Sequence, residues 1–248
     1  MNLVQKLPIG LSLACLMFMS SCSKEDAVTP EPQMESVNAH SGLRDGSGPV
    51  ISLPYFPSTK GSTGLNVYPL DWERSISQSQ PVSLEELPTG TSNLTHLWGN
   101  PTLPWKKNLP TIVNANSIVN FGSIVTTTSY RSNASNGKNS LAETKITNLK
   151  SGKEYEITMY VASTICSVNQ NELTPRYAKT IYVNVKNVKF PITYNINYEG
   201  KEAEWIKKTI IFKAKSAEMT LSFEAFTPDG GYSYAHMFVD KNAIKQLN

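Results

Sequence analysis

The chain has 248 residues, of which 40% are hydrophobic and 17% charged, with a formal net charge of +3. This length fits one large domain or two small ones, and the hydrophobic share excludes both a wholly disordered chain and a polytopic membrane protein. Three cysteines exclude a disulfide scaffold, and three histidines leave little for a metal site. Because the net charge is small, we expect no nucleic-acid partner. We also expect no cofactor.

The first 21 residues have the layout of a secretory signal peptide. Residues 1–6 carry one positive charge, and residues 7–19 form an apolar run that is too short to span a bilayer comfortably. The sequence that follows, Met19-Ser20-Ser21-Cys22, resembles a bacterial lipobox. This resemblance implies that the chain is cleaved after residue 21 and that Cys22 carries a lipid anchor to the membrane. The alternative is an ordinary signal peptide with a coincidental cysteine.

Four polar residues follow directly after the cysteine: Ser23, Lys24, Glu25 and Asp26. A short charged run at this position resembles the surface-export signal of lipoproteins in the Bacteroidota phylum. The resemblance implies a protein that is lipid-anchored to the outer membrane and exposed at the cell surface. The alternative is a linker whose first residues are simply polar.

Two segments without clear periodicity come next. Residues 22–48 are rich in Ser, Glu, Pro, Asn and Gly, which predicts a disordered, flexible tether. In residues 49–110 aromatic residues return among prolines, which predicts long loops and short edge strands packed on a sheet. The tryptophans of this segment either cover the sheet or form a stacking platform for a sugar ring; they are Trp72, Trp98 and Trp105.

Residues 111–248 show the alternation of apolar and polar residues that is typical of strands with one buried face. In residues 154–161, for example, Tyr155, Ile157, Met159 and Val161 fall on one side. The predicted strands lie within residues 124–130, 154–161, 180–186, 193–198, 210–214, 219–225 and 235–239. No helix-length amphipathic segment separates them, so we predict an all-β fold, an antiparallel β-sandwich or jelly roll.

Several of these runs resemble the galactose-binding-like jelly rolls of carbohydrate-binding modules. Residues 149–157 are similar to the start of a central strand in that family; their sequence is Leu149-Lys150-Ser151-Gly152-Lys153-Glu154-Tyr155-Glu156-Ile157. A set of aromatic and apolar residues late in the family's domains has a spacing similar to that of Trp205, Phe212, Ala214, Leu221 and Phe223. The family's last strand is similar to Met237-Phe238-Val239-Asp240, although the polar residues 241–244 depart from its usual ending. The resemblance covers about residues 111–245 and implies a carbohydrate-binding jelly roll.

The sequence contains no motif that predicts catalysis. It has no Gly-x-Ser-x-Gly, no His-Glu-x-x-His and no phosphate-binding glycine loop. Its histidines are isolated, and the alternation of the last strand predicts that His236 faces solvent. We therefore expect a protein that is not an enzyme, with no catalytic or metal-binding residues.

The residue types that bind sugars occur in one late loop and in the proline-rich segment. Residues 227–234 combine tyrosines, an acid and two glycines, which suits a loop that contacts a ligand. The candidate ligand-binding residues are Trp98, Trp105, Asp229, Tyr232 and Tyr234. The alternative is a long turn whose tyrosines pack over the sheet edge. A set of lysines is expected to face outward on strands, where lysine discourages edge-to-edge aggregation: Lys186, Lys189, Lys207, Lys208, Lys213 and Lys215.

These observations favour a non-catalytic outer-membrane surface lipoprotein that binds a glycan or extracellular polymer through its β-sandwich. The first alternative is a structural or accessory subunit of a cell-envelope assembly, with a protein as its partner. The second alternative is a glycoside hydrolase, whose paired carboxylates can be distant in sequence.

Overall fold

The computed structural model describes residues 52–75, 87–114, 117–118, 123–170 and 172–247, which belong to one compact unit, Ile51–Asn248. The predicted signal peptide, Cys22 and the tether lie outside the described residues. Within them the structure is built of strands, joined by turns and by one short 3₁₀ helix, Leu97–Gly99.

The strands are numbered here in chain order. The front of the chain forms β1 (Gly64–Leu65), β2 (Trp72–Ser75), β3 (Gly90–Ser92), β4 (Val113–Asn114) and β5 (Ser117–Ile118). The middle forms β6 (Ile124–Asn133), β7 (Asn136–Asn139), β8 (Leu141–Ile146), β9 (Glu154–Thr164), β10 (Thr174–Pro175) and β11 (Thr180–Lys186). The end forms β12 (Ile192–Asn197), β13 (Ile206–Lys213), β14 (Met219–Phe226), β15 (Gly231–Phe238) and β16 (Ile244–Gln246).

Two sheets lie face to face, which confirms the predicted all-β antiparallel sandwich. The larger sheet has the order β1-β3-β6-β15-β9-β13, with β7, β10 and β16 paired to β6, β15 and β9. The smaller sheet has the order β12-β11-β14-β8-β2, and β4 and β5 form a separate hairpin. Among the described strands, all pairs are antiparallel except β10 with β15.

The core between the sheets follows from the alternation in the sequence. The buried side of β9 carries Tyr155, Ile157, Met159 and Val161, as predicted. The facing side of β14 carries Met219, Leu221, Phe223 and Ala225, and all of these belong to one apolar cluster. Since successive side chains of a strand point to opposite faces, this pattern fixes which face of each strand is buried.

Strands from the front of the chain complete both sheets. β2 pairs with β8 at the edge of the smaller sheet, and the Trp72 ring packs edge-on against Phe223 with 6.4 Å between centroids. β3 pairs with β6 in the larger sheet. The described prolines of residues 52–110 lie outside these short strands, as expected of a residue without a backbone donor.

The outer face of the larger sheet is covered by residues 93–112, which we call the cover segment. Leu97 and Trp105 pack on Tyr234 of β15, and Leu109 and Ile112 pack on Phe238. The prediction that His236 faces solvent is therefore wrong, because its ring lies under the cover segment and is completely buried. All eight residues of β15 are buried, since both faces of this strand are packed.

Candidate functional site

An open depression of about 640 Å³ lies where the cover segment meets β15 at Tyr234. This volume falls within the range of about 300–1,000 Å³ that is usual for small-molecule sites. Its lining combines apolar, aromatic and amide side chains: Leu65, Pro88, Leu97, Trp98, Asn100, Leu103, Gln170 and Tyr234. None of these described lining residues carries a charge.

Trp98 is the most unusual residue of the depression. It is half-buried and its backbone adopts φ 55° and ψ 19°, the left-handed region that bulky residues seldom occupy. A conformation of this kind costs about 1–3 kcal/mol and persists only where the surrounding structure enforces it. The Trp98 indole is therefore held at the edge of the depression at a cost in local strain.

Hydrogen bonds of the cover segment explain how this strain is maintained. The Asn93 Oδ1 atom accepts hydrogen bonds from Thr95 N at 2.9 Å and from His96 N at 2.6 Å, which fixes the approach to the 3₁₀ helix. The Trp98 amide then donates to Ser92 Oγ at 3.0 Å. After it, Gly99 has φ 66°, and a Cβ atom there would overlap the Thr63 side chain, so only glycine fits.

Two amide side chains provide hydrogen-bonding groups in the depression. The Asn100 Oδ1 atom already accepts from Thr102 N at 3.0 Å and from Thr102 Oγ1 at 2.9 Å, so its amide nitrogen is the group that can donate to a ligand. The Gln170 side chain is exposed and can both donate and accept. The depression thus offers an aromatic ring and neutral polar groups, which is the chemistry that sugar hydroxyls and ring C–H groups require.

Three of the predicted ligand-binding residues are buried: Trp105, Tyr232 and Tyr234. Trp105 is 4% exposed, and its Nε1 atom donates to the Asn93 carbonyl at 2.9 Å. Tyr232 is 2% exposed, and its hydroxyl donates to Asn169 Oδ1 at 2.9 Å. Because a buried ring cannot present its face to a ligand, the structure does not support an exposed platform at these positions. The Trp105 and Tyr232 rings belong to the apolar cluster that includes Leu97 and Trp98 of the depression.

Tyr234 and Asp229 differ in their surroundings. Tyr234 lines the depression, but only 3% of it is exposed, and burial raises the pKa of its hydroxyl. Asp229 is not among the lining residues; its Oδ1 atom pairs with Arg131 Nε at 2.6 Å. The Arg131 guanidinium also lies over the Phe226 ring, 4.7 Å from its centroid. Of residues 227–234, which were predicted to form a loop, residues 231–234 belong to β15, and only Tyr234 lines the depression.

Four of the five predicted residues nevertheless belong to one cluster. Trp98, Trp105, Tyr232 and Tyr234 pack around Cys166 and Leu97 in a single group of apolar contacts. Sequence reasoning missed Asn100 and Gln170, which lie in turns without periodicity. The Gly99-Asn100-Pro101 turn after a tryptophan was the available signal, since such turns are typical of a loop that presents side chains.

The remaining predictions concern the membrane and metals. Cys22 and the export residues Ser23, Lys24, Glu25 and Asp26 lie outside the described residues. Within the part of the chain that the structure covers, no helix has both the length and the apolar character needed to cross a bilayer. The same residues contain no group of three or more His, Cys, Asp or Glu side chains that could hold a metal ion.

No family model matches the chain, and no curated protein sequence matches it. Among solved structures, the chain is similar to the K2 cleaved adhesin domain of Lys-gingipain, with a TM-score of 0.36, 10% identity, and coverage of 79% of this chain and 98% of that one. It is also similar to TmCBM61 in complex with β-1,4-galactotriose, with a TM-score of 0.30, 7% identity, and coverage of 59% of this chain and 86% of that one.

A third similar structure is the enzymatically active domain of tailspike protein 4 from bacteriophage CBA120, with a TM-score of 0.32 and 9% identity. The similarity covers 70% of this chain, and the chain spans 21% of the tailspike structure.

Proposed function

We propose that the chain is a non-catalytic glycan-binding protein and that the depression beside Trp98 is its binding site. The observation that carries this proposal is the Trp98 indole, held in a strained left-handed conformation next to the Asn100 and Gln170 amides. Strained backbone tends to occur at functional sites, where the surrounding structure offsets its cost. An indole face packs against the C–H groups of a sugar ring, while amides bind its hydroxyls.

The lining suits a neutral sugar rather than a charged one. The described lining residues include no lysine, arginine, aspartate or glutamate. The same absence supports a non-catalytic role, since glycoside hydrolysis requires two carboxyl groups on either side of the scissile bond. We therefore expect neutral oligosaccharides to bind and to remain intact.

The test is titration of Trp98→Ala and the unchanged protein with a panel of neutral polysaccharides, followed by tryptophan fluorescence and calorimetry. The loss of one aromatic contact of about 1–2 kcal/mol weakens binding by roughly 5- to 30-fold. The matched control is Trp205→Ala, which removes a half-buried tryptophan whose Nε1 atom donates to the Pro110 carbonyl. This control should leave the affinity unchanged.

A second variant separates a residue that binds the ligand from one that only stabilises the fold. Gln170→Ala removes an exposed side chain and should weaken binding without changing the free energy of unfolding. If no neutral glycan binds to the unchanged protein, or if Trp98→Ala and Trp205→Ala weaken binding equally, the depression is not a glycan site.

We further propose that the protein is a lipoprotein, anchored through Cys22 to the outer membrane and exposed at the cell surface. The sequence Met19-Ser20-Ser21-Cys22 and the charged residues after it support this proposal. Acyl chains contribute about 0.8 kcal/mol per buried CH₂ group, so two or more chains give stable anchoring. Cys22→Ser should therefore release the protein from membranes, whereas protease added to intact cells should digest the unchanged protein. Protection from the protease would contradict surface exposure.

A further inference from the structure

Three connections between strands meet at one end of the sandwich. The Gly152 amide of the β8–β9 turn donates to the Ala214 carbonyl at 2.8 Å, and the Ser151 hydroxyl donates to the Lys215 carbonyl at 2.8 Å. The Lys189 amide of the β11–β12 connection donates to the Lys213 carbonyl at 3.3 Å. These hydrogen bonds hold the three connections together, and we call residues 148–154, 186–191 and 213–218 the basic end.

The basic end concentrates positive charge. It contains six lysines and two glutamates, a net charge of +4, whereas the whole chain carries only +3. The rest of the chain is therefore slightly acidic. Since fields from charges of one sign add at a concave surface, this end attracts anions even though the chain as a whole is nearly neutral.

Three of these lysines converge on a second, open depression of about 310 Å³. It is lined by Ser151, Gly152, Lys189, Lys213, Ala214 and Lys215. The three lysines are exposed, and no carboxylate among the described residues pairs with any of them. Their ammonium groups are therefore available to an anion.

Edge protection accounts for Lys213, the last residue of the edge strand β13, but not for the other two lysines. Lys189 lies between the end of β11 at Lys186 and the start of β12 at Ile192. Lys215 lies between the end of β13 at Lys213 and the start of β14 at Met219. Lysines in loops do not interrupt strand pairing, so their convergence needs another explanation.

An exposed aromatic ring lies beside one of these lysines. Phe190 is 69% exposed, and the Lys189 Nζ atom lies 5.3 Å from its ring centroid. An aromatic face next to ammonium groups matches a sugar ring that bears an anionic substituent. The ring packs against the sugar C–H groups, while the lysines bind the carboxylate or sulfate.

We propose that the basic end is a second binding site, which takes an anionic polysaccharide carrying carboxylate or sulfate groups. This site is separate from the neutral depression beside Trp98. β9 has 11 residues and begins at the basic end, while its far end leads toward Gln170. At about 3.3 Å per residue, a strand of this length spans roughly 35 Å.

Two other anionic partners fit the observations less well. Insertion into a membrane requires a larger apolar area than the single exposed ring of Phe190 provides at this end. Nucleic acid is usually bound by a long basic stripe, whereas this protein has one basic end on an otherwise slightly acidic chain.

The test uses the full chain and measures its binding to dextran sulfate and to polygalacturonate, with unsubstituted dextran as the neutral counterpart. We expect both anionic polymers to bind and dextran not to bind at this end. The triple variant Lys189→Glu, Lys213→Glu, Lys215→Glu should bind about tenfold more weakly or worse, as expected for three exposed charge contacts. Lys207→Glu, an exposed charge reversal within β13, is the matched control and should have little effect.

Phe190→Ala separates recognition of a sugar from simple charge attraction, because it leaves every charge in place. It should weaken binding to polygalacturonate severalfold, and an unchanged affinity would overturn the proposal. Equally tight binding of a single-stranded oligonucleotide or of phosphatidylglycerol vesicles would also overturn it. If the triple glutamate variant does not fold, the corresponding glutamine variant takes its place. Trp98→Ala should leave binding to anionic polymers unchanged, so failure of the neutral site and failure of the basic end are distinguishable.

Discussion

His236 shows how a single buried side chain can make the stability of this protein depend on pH. Its Nδ1 atom lies 3.0 Å from Thr126 Oγ1, and its Nε2 atom lies 2.6 Å from Thr164 Oγ1. A neutral imidazole has one donor and one acceptor, and a hydroxyl can fill either role, so the neutral ring is fully satisfied. Burial lowers the pKa of the His236 imidazole to about 3.

The first prediction is that acid destabilises the protein through His236. Below about pH 6.5 the imidazole of the unfolded chain takes up a proton, whereas the pKa of the folded imidazole is about 3. Between these values the unfolded state binds more protons, so the free energy of unfolding falls as the pH falls. The slope from this one group approaches about 1.4 kcal/mol per pH unit, and urea denaturation at pH 7, 6, 5 and 4 measures it.

The control for this prediction is His236→Gln, which keeps hydrogen-bonding groups but cannot titrate in this range. Its unfolding free energy should be lower at pH 7 but should fall less steeply toward pH 4. Other groups remain in both proteins; burial raises the pKa of the Glu224 carboxyl, which acts with the opposite sign. Parallel pH curves for the two proteins would contradict the assignment to His236.

The cover segment is the element that creates this buried environment. The Trp105 ring lies 5.1 Å from the His236 ring and 5.7 Å from the Tyr234 ring, between centroids. Leu109 and Ile112 continue the layer over Phe238. The segment thus acts as a second hydrophobic layer on the outside of the larger sheet, although it contains scarcely any regular structure.

The second prediction is that Trp105→Ala destabilises the protein by about 3–5 kcal/mol, the usual cost of truncating a buried tryptophan. The space left by the indole exposes His236 to water, so the pKa of its imidazole should rise toward the ordinary value. Nuclear magnetic resonance titration of the imidazole protons and urea denaturation measure the two effects. A large loss of stability without any change in that titration would show that Trp105 does not shield His236.

The elements of the sandwich could be predicted where one face of a strand is buried. The alternation in residues 180–186 predicts β11 with the bounds that the structure has, Thr180–Lys186. The alternation of apolar and polar residues wrongly predicts an exposed face for β15. Tyr234 and His236 lie on that face, but a second layer of the protein covers them. β1, β2 and β3 are two to four residues long, which is too short for a periodic signal, and each is stabilised by partners far away in sequence.

The candidate sites were less predictable than the strands. Trp98 and Tyr234 could be proposed as ligand residues because both lie in predicted loops, where aromatic residues are suited to sugars, although Tyr234 belongs to β15. The Asn100 and Gln170 amides could not, since a depression is formed only when separate loops meet. The same holds for Lys189, Lys213 and Lys215, whose convergence depends on the hydrogen bonds between three connections.

The described unit depends on contacts between segments that are far apart in the sequence. The Thr59 amide donates to the Val239 carbonyl at 3.0 Å, across 180 residues. β2 closes the smaller sheet, while β3 and the cover segment complete the larger one. The front of the chain therefore contributes to both sheets and to the outer layer.

The third prediction is that a chain beginning at residue 111 does not form a stable monomer. It lacks β2 and β3 and exposes the apolar outer face of β15, which creates an aggregation-prone surface. Size-exclusion chromatography, circular dichroism and thermal unfolding should show an oligomeric or poorly cooperative species. A chain beginning at residue 49, which keeps all the described strands, is the control and should unfold cooperatively. A monomeric, cooperative species from residue 111 would show that the front of the chain is dispensable for folding.

The position of β15 in the chain also sets the order in which the fold can assemble. β3 pairs with β6, and β6 pairs with β15, which begins only at Gly231. During synthesis the early strands therefore wait for the last strands of the chain before the larger sheet can close. Long-range pairing of this kind slows folding and leaves strand edges exposed in the meantime. We therefore expect this protein to fold slowly for its size and to benefit from a chaperone until its last strands have been made.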